Sequence, residues 1–277
     1  VLRKFIPEIE SSGLSIIGPV REDNQDTIHI TDYPNSNGAG FLFAIADGMG
    51  GYAHGGMASA LALESFLNVI LTQQRQPVLR TLQRGVETAN LHVYQKARQM
   101  DAGRMGTTLT AAYILGDMLY LTHVGDSRAY LIRDGQATCL TSDHTTVGDM
   151  VRAKLIPAAK IRTHAQRSIL TKSIGTDLFV QPDILQQKLK PGDCLILCSD
   201  GLWSVVEDDD FARVASQSSS VSEVSQNLVD LALAHHTDDN VSVVTFSVRS
   251  FMPVSAEQEP LPEESLGWFK KLRKMVS

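Results

Sequence analysis

Apolar and polar positions change their spacing several times in the first part of the chain, and each spacing predicts an element. Short runs rich in β-branched and aromatic residues predict strands at 14–17, 27–30 and 41–46. Apolar residues then recur at helical spacing over 53–71 and 77–99, which predicts two amphipathic helices. We therefore expect strands followed by a pair of helices.

Turn dipeptides next predict two β-hairpins. Gly116-Asp117 and Asp134-Gly135 each separate two β-rich runs, and such dipeptides are typical of tight hairpin turns. The strands that they join are predicted at 107–115 with 118–124 and at 128–133 with 136–140. The expected result is a meander of antiparallel strands.

The second half of the chain begins with a polar segment and ends with a strand. Residues 142–176 lack a long regular period, which predicts an irregular excursion with short helices. Apolar runs at 194–198 and 241–248 predict strands, the second of which closes the domain. Helical spacing recurs at 207–216 and 221–236. Because strands and helices come in pairs rather than in strict alternation, the order favours a layered α+β domain over a doubly wound parallel sheet.

A shift of composition towards Pro and Glu places the end of the folded domain near residue 250, with 1–250 as the domain and 251–277 as a tail. In the tail, Trp268, Leu272 and Met275 fall on one helical face among basic residues. Two interpretations are open. The tail is either an amphipathic helix that contacts a membrane surface or a partner, or a flexible segment, which we favour.

Composition and charge narrow the class of protein. Hydrophobic residues make up 43% of the chain and charged residues 20%, enough apolar material for a sizeable core. The net charge of -6 argues against nucleic-acid binding, because phosphate backbones attract clustered Lys and Arg. The N-terminal residues lack the apolar core of a signal peptide, and we identify no stretch that approaches the length of a membrane span.

The cysteines add an expectation about the compartment. Cys139, Cys194 and Cys198 make an odd count without the spacing of a zinc site, which argues against a disulfide framework or a zinc ribbon. We therefore expect a cytoplasmic protein. A monomer is the default oligomeric state.

Three aspartates lie next to predicted buried strands. Asp47 and Asp200 follow apolar runs, and Asp239 precedes one. A single Asp-Gly pair is more often an ordinary turn, but three aspartates in the same setting favour a site. Carboxylates that converge at strand ends repel one another and are costly to desolvate, so their convergence requires a compensating cation. Oxygen ligands without His or Cys nearby favour hard divalent ions such as Mg²⁺ or Mn²⁺.

An ordered set of short motifs extends this interpretation. The motifs are Arg21-Glu22-Asp23-Asn24-Gln25-Asp26, Asp47-Gly48-Met49-Gly50-Gly51, Gly106-Thr107-Thr108, Val124-Gly125-Asp126-Ser127-Arg128, Ser199-Asp200-Gly201 and Asp238-Asp239-Asn240. In this order and spacing they resemble the PP2C (PPM) family of protein phosphatases, and the chain is similar to bacterial-type members from about residue 12 to residue 249. The resemblance implies a four-layer α-β-β-α sandwich with two central antiparallel sheets.

The resemblance also implies roles for residues of these motifs. Asp47, Asp200 and Asp239 would ligate two divalent metal ions, Mn or Mg, with the carbonyl of Gly48 as a further ligand. Asp126 would hold a third, weaker ion together with Asp200. The two metals would lower the pKa of a bridging water and so produce the hydroxide that attacks phosphorus.

Two further residues are implied in catalysis. Arg21 would bind the substrate phosphate through its guanidinium fork, and Asp26 would support the metal site from close by. Met49 stands where some family members have a histidine that resembles a general acid, so the general acid is unassigned. His54 is an alternative to a water as the proton donor, and His144 is either a substrate contact or a loop histidine satisfied by its neighbours.

The implied function is metal-dependent hydrolysis of phosphoserine and phosphothreonine in proteins, opposing Ser/Thr kinases, one of which is itself a plausible substrate. Two alternatives remain open. One is a phosphatase of a small phosphorylated metabolite, and the other is a catalytically silent scaffold that binds phosphoproteins. The complete aspartate set argues against the silent scaffold, because a domain that only binds does not need a costly carboxylate cluster.

Overall fold

The computed structural model describes residues 5–35, 38–50, 54–73, 76–101 and 105–253. Its strands are β1 (Phe5–Ile16), β2 (Asp26–Asn35), β3 (Gly38–Met49), β4 (Gly106–Thr107), β5 (Leu109–Leu115), β6 (Met118–Val124), β7 (Arg128–Arg133), β8 (Gln136–Cys139), β9 (Asp183–Lys188), β10 (Cys194–Cys198) and β11 (Val241–Pro253). Its helices are α1 (His54–Thr72), α2 (Val78–Gln99), α3 (Thr146–Arg152), α4 (Asp200–Trp203), α5 (Asp208–Gln217) and α6 (Val221–Ala234), with a 3₁₀ turn at Ala158–Lys160.

The strands form two antiparallel sheets. The first sheet has the order β1-β11-β10-β7-β8, and the second has the order β2-β3-β5-β6-β9, with β4 paired to β3. Helices α1 and α2 cover the outer face of the second sheet, and helices α4 to α6 cover the outer face of the first. The predicted four-layer α+β sandwich is confirmed.

Strand β3 shows why the sequence forms these layers. Leu42, Ala44 and Ala46 pack against α1 and α2, while Phe43 and Ile45 face the first sheet. Successive side chains of a strand point to opposite faces, so a strand buried on both faces is apolar at every position. The continuous apolar run at 41–46 is therefore the sequence of a central strand.

Between the two sheets lies a third apolar layer. The rings of Phe43 on β3 and Phe246 on β11 stack with their centroids 4.2 Å apart. Both side chains are fully buried, and each such burial stabilises the fold by about 2 kcal/mol. This layer holds the two sheets together and so fixes the relative position of the loops at their ends.

The predicted hairpins are both present, with Leu115 paired to Met118 and Arg133 paired to Gln136. Strand β9 and the four-residue helix α4 were not predicted from the sequence. Strand β9 reads Asp-Ile-Leu-Gln-Gln-Lys, and its mixed burial at an edge of the second sheet explains its weak pattern. The segment 142–176 is irregular with short helices, as predicted.

The ends of the chain differ in two ways from the prediction. Strand β1 starts at Phe5, well before the predicted strand at 14–17, because it pairs with β11 along its whole length. Strand β11 continues to Pro253, past residue 250, near which the sequence predicted the end of the domain. The division into a domain and a tail stays a prediction. The predicted tail helix around Trp268 lies outside the described residues.

By length and composition alone, helix α1 is long and apolar enough to cross a membrane. This differs from the prediction that no stretch approaches the length of a membrane span. More than half of its apolar stretch is buried inside this fold. Phe66 and Ala62 pack against the second sheet and α2. Burial between a sheet and a second helix accounts for its apolar character.

Candidate metal centre

Loops at one end of the two sheets surround a cleft of about 530 Å³. Six of the seven predicted site residues line it: Arg21, Asp47, Gly48, Asp126, Asp200 and Asp239. The seventh, Asp26, is buried and pairs with Asp47 across β2 and β3. The fold thus gathers residues that are up to about two hundred positions apart in sequence, and their roles stay predictions.

The Gly-Thr-Thr motif holds Asp47 in place. Thr108 Oγ1 accepts a hydrogen bond from the backbone N–H of Asp47 at 2.9 Å, and the backbone N–H of Thr108 donates to the carbonyl of Asp47. Thr107 Oγ1 donates to the same carbonyl at 2.8 Å. From the sequence, these threonines were recognised only as part of a motif, and no role was predicted for them. Their task is to fix the backbone of Asp47.

Asp126 is positioned from two sides. Its neighbour Ser127 shares a 2.7 Å hydrogen bond with Thr108, which connects the loop of Asp126 to the loop of Asp47. The indole N–H of Trp203 donates to the backbone carbonyl of Asp126 at 2.8 Å. Trp203 is therefore a core residue that also orients the site, a role that the sequence did not reveal.

Asp200 and Asp239 come together because their loops pack tightly. A Cβ on Gly201, the residue after Asp200, would lie 2.0 Å from the backbone oxygen of Asn240. Only glycine permits this approach. Thr237 Oγ1 donates to the carbonyl of Gly201 at 2.8 Å and further joins the two loops.

Asn240 secures the loop that carries Arg21. Its side-chain amide donates to the carbonyls of Ile17 and Asp23, at 2.6 and 2.9 Å, and its side-chain oxygen accepts from the backbone N–H of Gln25 at 2.9 Å. These three bonds exhaust most of what one asparagine side chain offers. Asn240 is thus a positioning residue. Its occurrence in the Asp-Asp-Asn motif did not by itself indicate this role.

Arg21 reaches into the cleft from this loop. Its guanidinium donates to Asp239 Oδ2 at 2.8 Å, and its side chain is 53% exposed. Partial burial lowers the pKa of Arg21, but the carboxylates of Asp239 and Asp200 outweigh it and raise the pKa above its ordinary value. Arg21 is charged at every physiological pH and has donors left for a phosphate group.

The acidic side chains repel one another strongly. Burial raises the pKa of Asp47 well above its ordinary value, and the charges of Asp26 and Asp200 raise it further. Burial and the charge of Asp239 raise the pKa of Asp200 to about 7. Burial raises the pKa of Asp26 to about 6, and burial and Asp200 raise that of Asp126. Such a group of carboxylates calls for positive charge in the cleft.

The donor set fits divalent metal ions. Asp26 Oδ2 and Asp200 Oδ1 are buried and have no hydrogen-bond partner among the described residues, and Asp200, which lines the cleft, therefore has an oxygen available as a ligand. Among the described residues, no three His, Cys, Asp or Glu side chains are already arranged as a closed metal cage. The carboxylates instead surround an open cleft, which suits ions such as Mg²⁺ that keep several water ligands.

The raised pKa values predict how the stability of the metal-free protein depends on pH. The folded state keeps protons on Asp26 and Asp200 that the unfolded chain releases above about pH 4. Unfolding therefore becomes easier as pH rises towards 7, and we expect the free energy of unfolding in EDTA to fall by on the order of 2 kcal/mol between about pH 5 and pH 8. Urea denaturation at both pH values measures it.

The matched comparison for this prediction is the Asp200→Asn protein, which lacks one of the titrating groups. Its free energy of unfolding in EDTA should depend less on pH, and Mn²⁺ should raise the stability of the unmodified protein more at pH 8 than at pH 5. A metal-free protein that becomes more stable as pH rises would contradict the clustering of these carboxylates.

The histidines considered from the sequence lie away from the cleft wall. His144 is buried, and its Nδ1 accepts a hydrogen bond from the backbone N–H of Gly125 at 3.1 Å. Its Nε2 faces Asp183 at 3.3 Å. His144 is therefore a satisfied loop histidine that supports the loop of Asp126, not a substrate contact. His54 starts α1 and does not line the cleft, whereas Met49 does.

Comparison with known proteins decides the family. Residues 20–235 match the family described as protein phosphatase 2C. The chain is 34% identical over 231 residues to a putative 2C-type protein phosphatase of Streptococcus pyogenes, a match that covers 82% of this chain and 92% of that protein. The chain belongs to the protein phosphatase 2C family.

Two further matches in this family are informative. The serine/threonine protein phosphatase PstP of Mycobacterium tuberculosis is 35% identical over 232 residues, which cover 83% of this chain and 43% of PstP, so this chain spans less than half the length of that relative. The solved catalytic domain of PstP in complex with two manganese ions superposes with a TM-score of 0.75 and 32% identity, covering 87% of this chain and 99% of that domain.

Proposed function

We propose that the acidic cleft is the catalytic centre at which this 2C-type protein phosphatase hydrolyses phosphoserine and phosphothreonine in proteins. As a member of the family, the chain is a metal-dependent serine/threonine protein phosphatase. The observation that carries the placement is the convergence of Asp47, Asp126, Asp200 and Asp239 on one cleft together with Arg21. Four carboxylates and one arginine suit bound cations and a phosphate group.

The positions of the aspartates support the ligand roles that the family resemblance implies. Asp47, Asp200 and Asp239 would hold two divalent ions, Mn or Mg, with the carbonyl of Gly48, and Asp126 would contribute to a third, weaker site. When bound, the two ions activate a water for attack and offset negative charge on the phosphoryl group. Two manganese ions bound to the PstP catalytic domain support this number and kind of ion.

The protein's own residues orient the substrate. Arg21 leaves Asp239 or shares its guanidinium between that carboxylate and the phosphate, which places the phosphorus over the cleft floor. Asp26 is buried and lies opposite Asp47 in the pairing of β2 with β3, where it would support the metal site from close by. Met49 on the cleft wall has no proton to donate and His54 does not line the cleft, so we assign the proton for the departing serine or threonine oxygen to a water.

The substrates are phosphoproteins, and a Ser/Thr kinase is the expected opposing enzyme or itself a substrate. A cytoplasmic location and a monomeric state complete the proposal. The relatives named as serine/threonine protein phosphatases support the substrate class. The odd set of unpaired cysteines supports a reducing compartment.

The direct test is phosphate release from a phosphothreonine peptide with Mn²⁺, Mg²⁺ or EDTA. We expect release only with a divalent ion, and we expect Arg21→Ala to lower kcat/KM by about 10- to 100-fold, since a charged hydrogen-bond donor to the phosphate is lost. The matched control is Arg249→Ala, which removes an arginine of equal exposure that pairs with Glu10 far along β1.

The alternatives predict different outcomes. Failure to release phosphate with any divalent ion would overturn the enzymatic function and favour a phosphoprotein-binding scaffold. Faster hydrolysis of small phosphorylated metabolites than of phosphopeptides would point to a metabolite phosphatase. If Arg21→Ala and Arg249→Ala lowered kcat/KM equally, the phosphate-binding role of Arg21 would be refuted.

A further inference from the structure

A second groove, of about 770 Å³, lies beside the acidic cleft. One wall is the last two turns of α2, and the other is the segment 168–177. Its apolar lining consists of Met49, Tyr94, Ala97, Met105, Ile169 and Leu170. A groove of this size with apolar side chains on both walls is a candidate binding surface.

The groove is continuous with the cleft. Met49, Ser168 and Leu170 line both. A polypeptide whose phosphoresidue occupies the cleft can therefore enter the groove with the residues next to it. An extended chain advances about 3.3 Å per residue, so a groove of this size accommodates several residues on one side of the phosphoresidue.

The wall formed by 168–177 is anchored before any ligand arrives. Asn90, which is buried in α2, donates to the carbonyls of Asp177 and Leu178, at 3.0 and 3.2 Å, and accepts from the backbone N–H of Gly175 at 2.8 Å. Gly175 has φ +90°, and a Cβ there would lie 2.2 Å from Val93. This close contact and the three bonds hold the segment against α2, so the groove is preformed and little ordering cost remains for binding.

Exposed apolar side chains mark the same segment. Ile169 on the groove wall is 51% exposed, and Leu178 and Phe179, which directly follow the lining residues, are 48% and 86% exposed. Arg98 lies over the ring of Tyr94 on the opposite wall. The lining is thus mixed: apolar side chains such as Tyr94, Ile169 and Leu170 lie beside Arg98, two carboxylates and four hydroxyl side chains, namely Asp101, Asp177, Ser168, Thr171, Ser173 and Thr176.

We propose that this groove binds the polypeptide flanking the phosphoresidue of a protein substrate and selects an apolar side chain there. The inference depends on the proposed phosphatase function, because the cleft must hold the phosphoresidue for its flank to reach the groove. Met49, Tyr94 and Ile169 then determine specificity and take no part in the chemistry.

The test uses phosphothreonine peptides with leucine or serine placed, one position at a time, on either side of the phosphoresidue, and p-nitrophenyl phosphate as a substrate without flanks. With Mn²⁺ present, we expect leucine at positions on one side to raise kcat/KM over serine by about tenfold, the value of burying one such side chain. Ile169→Glu should abolish this preference, because it places a charge on the apolar wall.

The control and the second variant keep the result decisive. Leu155→Glu changes a leucine that is 73% exposed, lies in the same 142–176 segment and lines neither the cleft nor the groove, so the leucine preference should persist. Tyr94→Ala alters the opposite wall and should also reduce the leucine preference. It provides the test if Ile169→Glu fails to fold. Each variant is judged by the ratio of peptide kcat/KM to that for p-nitrophenyl phosphate.

Two results would overturn the proposal. One is the absence of any leucine preference in the unmodified protein, and the other is a preference that persists in both groove variants. If the unmodified protein with Mn²⁺ did not hydrolyse p-nitrophenyl phosphate at all, the proposed catalytic function itself would fail. The two failures are therefore distinguishable.

Discussion

Asp47→Asn is expected to lower kcat/KM for a phosphothreonine peptide by about 100-fold or more, because it removes a charged ligand from the centre of the carboxylate cluster. Four other aspartates, Asp26, Asp200, Asp126 and Asp239, act electrostatically on Asp47, so an uncharged residue there removes repulsion with all four. The same variant should be more stable than the unmodified protein in EDTA near pH 8, because the repulsion disappears with the charge. Steady-state kinetics and urea denaturation measure the two effects.

A simple folding defect cannot produce this combination. A misfolded variant loses activity and stability together, whereas Asp47→Asn should lose activity, gain metal-free stability and no longer be stabilised by Mn²⁺. The matched control is Asp134→Asn in the exposed β7–β8 turn, where φ is +53° and asparagine is tolerated. Full activity of Asp47→Asn with Mn²⁺ would refute the metal-ligand role.

Arg128→Met is expected to lower the free energy of unfolding by about 3 to 5 kcal/mol, the cost of leaving one partner of a buried ion pair alone. Arg128 is 5% exposed and donates to both carboxylate oxygens of Asp143, at 2.9 and 2.7 Å. Its guanidinium also stacks 3.6 Å from the ring centre of Trp203 and donates to the hydroxyl of Tyr130. Urea denaturation with Mn²⁺ present measures the loss.

The double variant Arg128→Met with Asp143→Leu separates the pair from its neighbours. Because two apolar residues replace two buried charges, the double variant should recover part of the stability that Arg128→Met loses. Losses that simply add, with no recovery, would show that the two side chains contribute independently. The surface pair of Arg213 and the partly buried Asp210 is the contrast, since Arg213→Met should change stability by less than about 1 kcal/mol.

The network around Arg128 also joins the irregular segment to the cleft. Asp143 starts this segment, and Trp203 both stacks on Arg128 and donates to the carbonyl of Asp126. A change at Arg128 thus reaches the loop of a predicted metal ligand. For this reason the stability measurement, rather than activity, is the clean readout of the ion pair.

Local pattern was sufficient for most elements. The buried strands β3 and β10 are continuous apolar runs, the hairpins have Gly-Asp and Asp-Gly turns, and α1 and α2 have helical spacing, so neighbouring residues alone specify them. Strand β9 and the first half of β1 were missed because their strand form depends on a pairing partner. Phe5 pairs with Pro253, almost the whole length of the chain away.

For the site, the sequence by itself determined the residue types and hence the chemistry: aspartates at strand ends, an arginine and no ligating cysteine or histidine indicate a hard divalent ion and a phosphate. Only the tertiary structure decided what holds them. Thr108, Trp203 and Asn240 act through hydrogen bonds to distant backbone, and Gly201 acts through a close approach to another loop. The groove beside the cleft likewise exists only where α2 meets 168–177, because a surface between two elements has no pattern within either one.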